Sequence, residues 1–118
     1  MCLSIKKPLP KKIPKHGWKV FIKENGKLEF PYYNNTGPVK KQLWMTAKPY
    51  LVWSFNDGRQ YKTGFHCFLR RSDARVYASD NFSDNTVVLK VQLGGKVKAF
   101  GLTLRSPTIV VEKIRIME

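Results

Sequence analysis

Acidic side chains are scarce in this chain: eight against 22 lysines and arginines in 118 residues, a formal charge of +14. Chemistry by a carboxylate pair is therefore poorly supplied, since Asp73 reads as a helix-start residue and Glu112 falls in the last expected strand. Cysteine is rarer still. Cys2 and Cys67 make no disulfide framework. Together with His16 and His66 they lack the paired spacing of a structural zinc site, so no metal or other cofactor is expected. There is no apolar run of signal-peptide or membrane-spanning length, no phosphate-binding glycine loop, no serine elbow and no internal repeat. These absences lead to the expectation of a cytoplasmic protein, in a reducing compartment, with no membrane role.

What is present is charge and aromatic surface. Self-repulsion at +14 costs stability, and a polyanionic partner offsets it. An anionic nucleotide or nucleic acid is the expected partner; the bland alternative is a basic surface that serves solubility alone. Hydrophobic content of 42% and aromatic content of 13% argue against disorder, and the length suits one core.

Residues 1–16 form a basic, proline- and lysine-rich arm, with Lys6, Lys7, Lys11, Lys12 and Lys15 interrupted by Pro8, Pro10 and Pro14. That spacing forbids a helix and favours an extended course. The arm either wraps a polyanion or lies strapped across the domain. Removal of Met1 would leave Cys2 with an amine and a thiol able to act as base and nucleophile.

Residues 17–118 read as a single globular α+β domain, rich in β structure, with largely antiparallel twisted sheet and one or two short helices. Trp18 to Lys23 alternates as a strand, and Glu24-Asn25-Gly26-Lys27 turns it into Leu28-Glu29-Phe30. Further strands are expected through Leu43-Trp44-Met45, Tyr50 to Trp53, Phe65 to Leu69, Thr86 to Leu93 and Thr108 to Ile116. Gly94-Gly95 is read as a turn into Lys96 to Phe100, and Ser72 as the N-cap of a helix carrying Ala74, Tyr77 and Ala78 on one face.

The stretch from Tyr61 to Ala78 holds the chemistry-bearing residues. His66 faces away from Phe65 and Cys67; it suits a phosphate contact or general acid–base work, or else is a hydrogen-bonded histidine on the sheet's second face. Arg70, Arg71 and Arg75 at the helix entrance offer guanidinium forks for phosphate. Trp18, Trp44, Trp53, Tyr32, Tyr33 and Tyr61 supply faces for stacking, roughly 1–3 kcal/mol per base. The expected pocket is lined by Lys62, Arg70, Arg71, Tyr61, Trp44 and Tyr33, with His66 and then Cys2 as the catalytic candidates.

Met1-Cys2, the strand from Trp18 to Tyr33, Gly64-Phe65-His66-Cys67-Phe68 and Asp73-Ala74 resemble a set of small proteins of bacteriophages and prophages. The resemblance implies a counter-defence role against a nucleotide signal of host immunity. Gly64 to Phe68, Ala74 to Ala78 and Val87 to Val91 are similar to the middle of the ADP-ribosyltransferase-like fold, although its early His-Gly-Thr segment is absent. Val20 to Asn25 is similar to the first signature strand of the RNA-recognition motif; the second signature departs from it at His66, Cys67 and Phe68. Two functions follow as expectations. One is binding, with or without cleavage, of a phosphate-bearing nucleotide; the alternative is a non-catalytic RNA- or DNA-binding domain clamped by the arm.

Overall fold

The computed structural model describes residues 3–30, 39, 41–47, 51–54, 58–82 and 85–117. Among them are nine strands and one helix: β1 (Ile5–Lys7), β2 (His16–Glu24), β3 (Lys27–Glu29), β4 (Met45–Thr46), β5 (Leu51–Trp53), β6 (Gln60–Lys62), β7 (Phe65–Phe68), α1 (Arg71–Asn81), β8 (Thr86–Thr103) and β9 (Ser106–Ile116). The chain is strand-rich and its named strands pair antiparallel, as expected, with β structure dominant over the single helix.

The organising element is the β8–β9 hairpin, which turns through Leu104 and Arg105. β2 pairs with the first half of β8, from Ile22↔Thr86 to His16↔Gln92. β9 pairs with β8 along its other edge and with β7 beyond that. The pair Trp18↔Phe68 joins β7 back to β2, so β2, β8, β9 and β7 form a closed circuit around the core. Alternate residues point into it, among them Phe21, Phe65, Cys67, Val91, Ile109 and Val111. β3 hangs from β2 through the expected Asn25-Gly26 turn, where both residues have positive φ. β5 and β6 make a separate small hairpin.

Two expectations are corrected. Gly94-Gly95 does not reverse the chain. β8 runs through it as one strand of 18 residues, with register shifts beside Gly94 and Val97 and a positive φ at Gly95. The glycines make a bulge, because β9 is long enough to pair on both sides of them and so keeps the strand in one ladder. Ser72 is not the N-cap. Arg70 is, in extended conformation and without a side-chain capping bond. The helix must begin early enough to seat Ala74 and Ala78 against Val20 and Phe68, and Ala74 N–H already reaches the Arg70 carbonyl at 3.3 Å. The start of the basic arm takes the strapped one of its two expected courses. Leu3 is fully buried and Ile5–Lys7 pairs with Phe100–Leu102. Gly101 permits this, since any Cβ there would collide with the Ile5 carbonyl.

Candidate functional site

One side of the molecule is sealed by that N-terminal strap. Leu3, Tyr61, Ala99 and Val110 form a small apolar cluster there, and His66, 2% exposed, lies beneath it. The Leu3 N–H donates to the Tyr61 hydroxyl at 2.9 Å. The same hydroxyl is hydrogen-bonded to His66 Nε2, 3.0 Å away. Burial, reinforced by the Lys19 ammonium, holds the His66 pKa well below the ordinary histidine value. The ring is therefore neutral. Its polar atoms serve the fold.

The core contains an unusual guest. Lys19 follows the inward alternation of Gly17 and Phe21 on β2, and its side chain is buried. Nζ donates to the His66 carbonyl at 2.9 Å and lies 5.9 and 6.0 Å from the Phe30 and Phe65 ring centroids. Burial lowers its pKa, partly offset by Cys67. The same burial pushes the Cys67 thiol up to about 11 against the pull of Lys19, so the sulfur behaves as an inert apolar group.

The opposite side is open. On the outer face of β2 and β8 the register sets Val20 beside Val88, Trp18 beside Lys90, and His16 beside Gln92. On the next strand Gln92 faces Arg115 and Gly94 faces Lys113. α1 covers the Val20–Val88 end of this face through Ala74 and Ala78, and Trp18 packs half-buried at the margin of the same cluster. From the helix start Arg71 reaches over the Trp18 ring, 5.4 Å from its centroid, while Lys90 stands 5.9 Å away. At the far end Trp44 lies over Gly94, where a Cβ would strike its ring. Arg115 sits 5.1 Å from the Trp44 centroid and also donates to Gln92. The result is a continuous outer surface of alternating cation and indole. Beside it, between α1 and the start of β8, a groove of about 480 Å³ is lined by Arg71, Arg75, Ser79, Phe82 and Thr86 among others.

The expected pocket residues are thus divided between the two sides. Arg71 and Trp44 sit at opposite ends of the open face. Arg70 is exposed at the helix cap. His66 and Tyr61 are sealed, so neither acid–base work by His66 nor stacking by Tyr61 has a free surface to act on. Lys62 is exposed on β6, next to buried Tyr61. Cys2 and Tyr33 lie outside the described residues. Glu112 is a structural acid at the bulge, its carboxylate accepting from the Lys96 N–H at 3.4 Å and lying 4.0 Å from Lys98 Nζ. Lys90, Gln92, Lys113 and Arg115 were missing from the expected set. Their signal was the polar half of the alternation in β8 and β9, whose meaning depends on which strands become neighbours.

Among the described residues no group of three or more His, Cys, Asp or Glu could hold a metal ion, and no helix is long and apolar enough to cross a membrane. No family model matches this chain, and no curated protein or solved structure matches it either.

Proposed function

We propose that this protein binds nucleic acid without catalysis, through the outer face of β2, β8 and β9. One observation carries the reading: exposed Arg71 and Trp44 share one outer face with half-buried Trp18, Lys90 and Arg115, while His66 and Cys67 are buried. Cations at this spacing neutralise phosphates, and the indoles offer apolar faces to bases. The +14 charge supplies the long-range attraction. Salt titration tests it. Four phosphate contacts give a slope of log K against log salt of roughly −3. Charge reversal at Lys90 (K90E) should flatten that slope by about one to two contacts; binding insensitive to salt would refute the reading.

A second reading rests on the groove beside α1. Its volume of about 480 Å³ lies within the usual range for small-ligand sites, roughly 300–1,000 Å³. Arg71 and Arg75 would hold the phosphates of a small nucleotide and Phe82 would meet its base. A host immune nucleotide, met by a phage counter-defence protein, belongs to that class. Thermal-shift measurements with mono- and dinucleotides separate the readings, because a pocket ligand raises Tm at concentrations where short oligonucleotides are not needed.

A further inference from the structure

We propose that the occupant of the open face is an unpaired strand, held by base stacking on Trp18 and Trp44 as a two-point, sequence-tolerant grip. The proposal rests on the nucleic-acid reading above and narrows it to one structural class of ligand.

The argument starts from what the indoles can reach. Trp18 pairs with Lys90, and Trp44 lies over Gly94, so the rings are separated by four residues along β8 and about one strand across. At about 3.3 Å per residue and about 4.8 Å per strand that is roughly 14 Å. Bases inside a duplex are stacked on each other and present only their edges, so a duplex cannot use either ring. A single strand presents its base faces freely.

The cations are arranged for the same partner. Arg71 and Lys90 lie over the Trp18 ring and Arg115 over the Trp44 ring, so a base that stacks there displaces a cation from the ring. Each cation is within reach of a phosphate attached to a base resting on its ring. The polar groups able to read base edges are few. His16 and Gln92 sit between the indoles, and Gln92 already accepts from Arg115. Stacking without edge reading tolerates any sequence. α1 offers no reading helix for a groove either: Ala74 and Ala78 fix it flat on the sheet, and its exposed side mixes Arg75 and Val76 with Asp80. Beyond Trp18, Arg71 also lines the groove with Arg75 and Ser79, which continues the cationic track off the end of the sheet.

The footprint follows. At a stacked rise of about 3.4 Å per nucleotide, roughly 14 Å between rings spans about four nucleotides. The groove beyond Trp18 extends this to about six.

The test is a fluorescence titration of the full chain with oligothymidylates of two to twelve nucleotides, and with a blunt twelve-base-pair duplex, at one salt concentration. Affinity should climb with length and level off near six nucleotides, with quenching of indole emission, and the duplex should bind at least about tenfold more weakly. Trp18→Leu and Trp44→Leu, which keep bulk but lose the ring, should each weaken the single strand by about 5- to 150-fold, the equivalent of 1–3 kcal/mol per stacked base. Trp18→Phe should retain most of the affinity, and far-UV circular dichroism of each variant verifies its fold. Equal binding of duplex and single strand, unchanged in folded leucine variants, would overturn the stacking grip and leave a charge-only nucleic-acid binder. Absence of binding to both would overturn this proposal together with the reading beneath it.

Discussion

The strapped side and the open side use the same kinds of residue to opposite ends. Each brings a histidine, aromatic rings and a cation close together. Under the strap, His66, Tyr61 and Leu3 close a chain of hydrogen bonds with no surface left over. On the open face Arg71 and His16 are exposed, and Trp18 and Lys90 are half-buried at the margin of the α1 cluster. The contrast teaches that residue type nominates a site and coverage decides its role. A buried, neutral and hydrogen-bonded histidine contributes to stability; an indole covered by a cation at the surface is what the proposed binding would use.

The largest test of that contrast is Tyr61→Phe. Removing one hydroxyl leaves the Leu3 N–H and His66 Nε2 buried and unpaired. The expected loss is about 2–4 kcal/mol of unfolding free energy in urea, with oligonucleotide affinity unchanged. A drop in affinity as large as the drop in stability would dissolve the separation of the two sides.

Acid should expose the same side. The folded His66 pKa lies well below 6.5 and the unfolded histidine titrates near it. The unfolded chain therefore takes up a proton first, and stability falls as pH drops below 6.5 toward the folded pKa. The limiting slope is about 1.4 kcal/mol per pH unit for one proton. Unfolding curves from pH 7 to pH 4 measure it, and His66→Gln, which keeps a hydrogen-bonding partner for Tyr61, should remove that slope.

Lys19→Met reaches the core that both sides share. It removes a desolvated amine at the cost of one bond to the His66 carbonyl. A net gain of about 1 kcal/mol at pH 7 is expected. Because the folded lysine pKa is depressed, the wild-type chain recovers stability as pH rises toward 10.5, and the advantage should shrink there. Urea midpoints at pH 7 and pH 10 measure both effects; Cys67 titrates on the opposite slope between 9.0 and about 11 in either protein.

The smallest stability effect belongs to the open face. Arg71→Ala trims an exposed side chain and should change unfolding free energy by less than about 0.5 kcal/mol. Its effect should instead be seen in affinity, measured on the same sample.

Local signals made much of the fold legible. Asn25-Gly26 fixed one hairpin, alternation fixed the strand from Phe65, and the β-branched run from Thr108 fixed the last strand. The bulge was not legible, because a glycine pair marks a reversal and a bulge alike until the partner strand is known. The helix start moved because packing of Ala74 and Ala78 outweighed the capping preference of Ser72. Arg71 and Trp44 could be named from the sequence, yet their common face could not. It arises from pairings such as Trp18↔Lys90 and Gln92↔Arg115, between segments far apart in the chain.

Those pairings also set a timetable. β1, β2, β4 and β7 all draw their longest ladders from β8 and β9, the last to emerge during synthesis. Until β8 has left the ribosome, β1 and β2 lack their longest ladders, and until β9 follows, β4 and β7 lack theirs. A nascent chain ending at Thr103 would lack the strand that closes the circuit and should stay protease-sensitive.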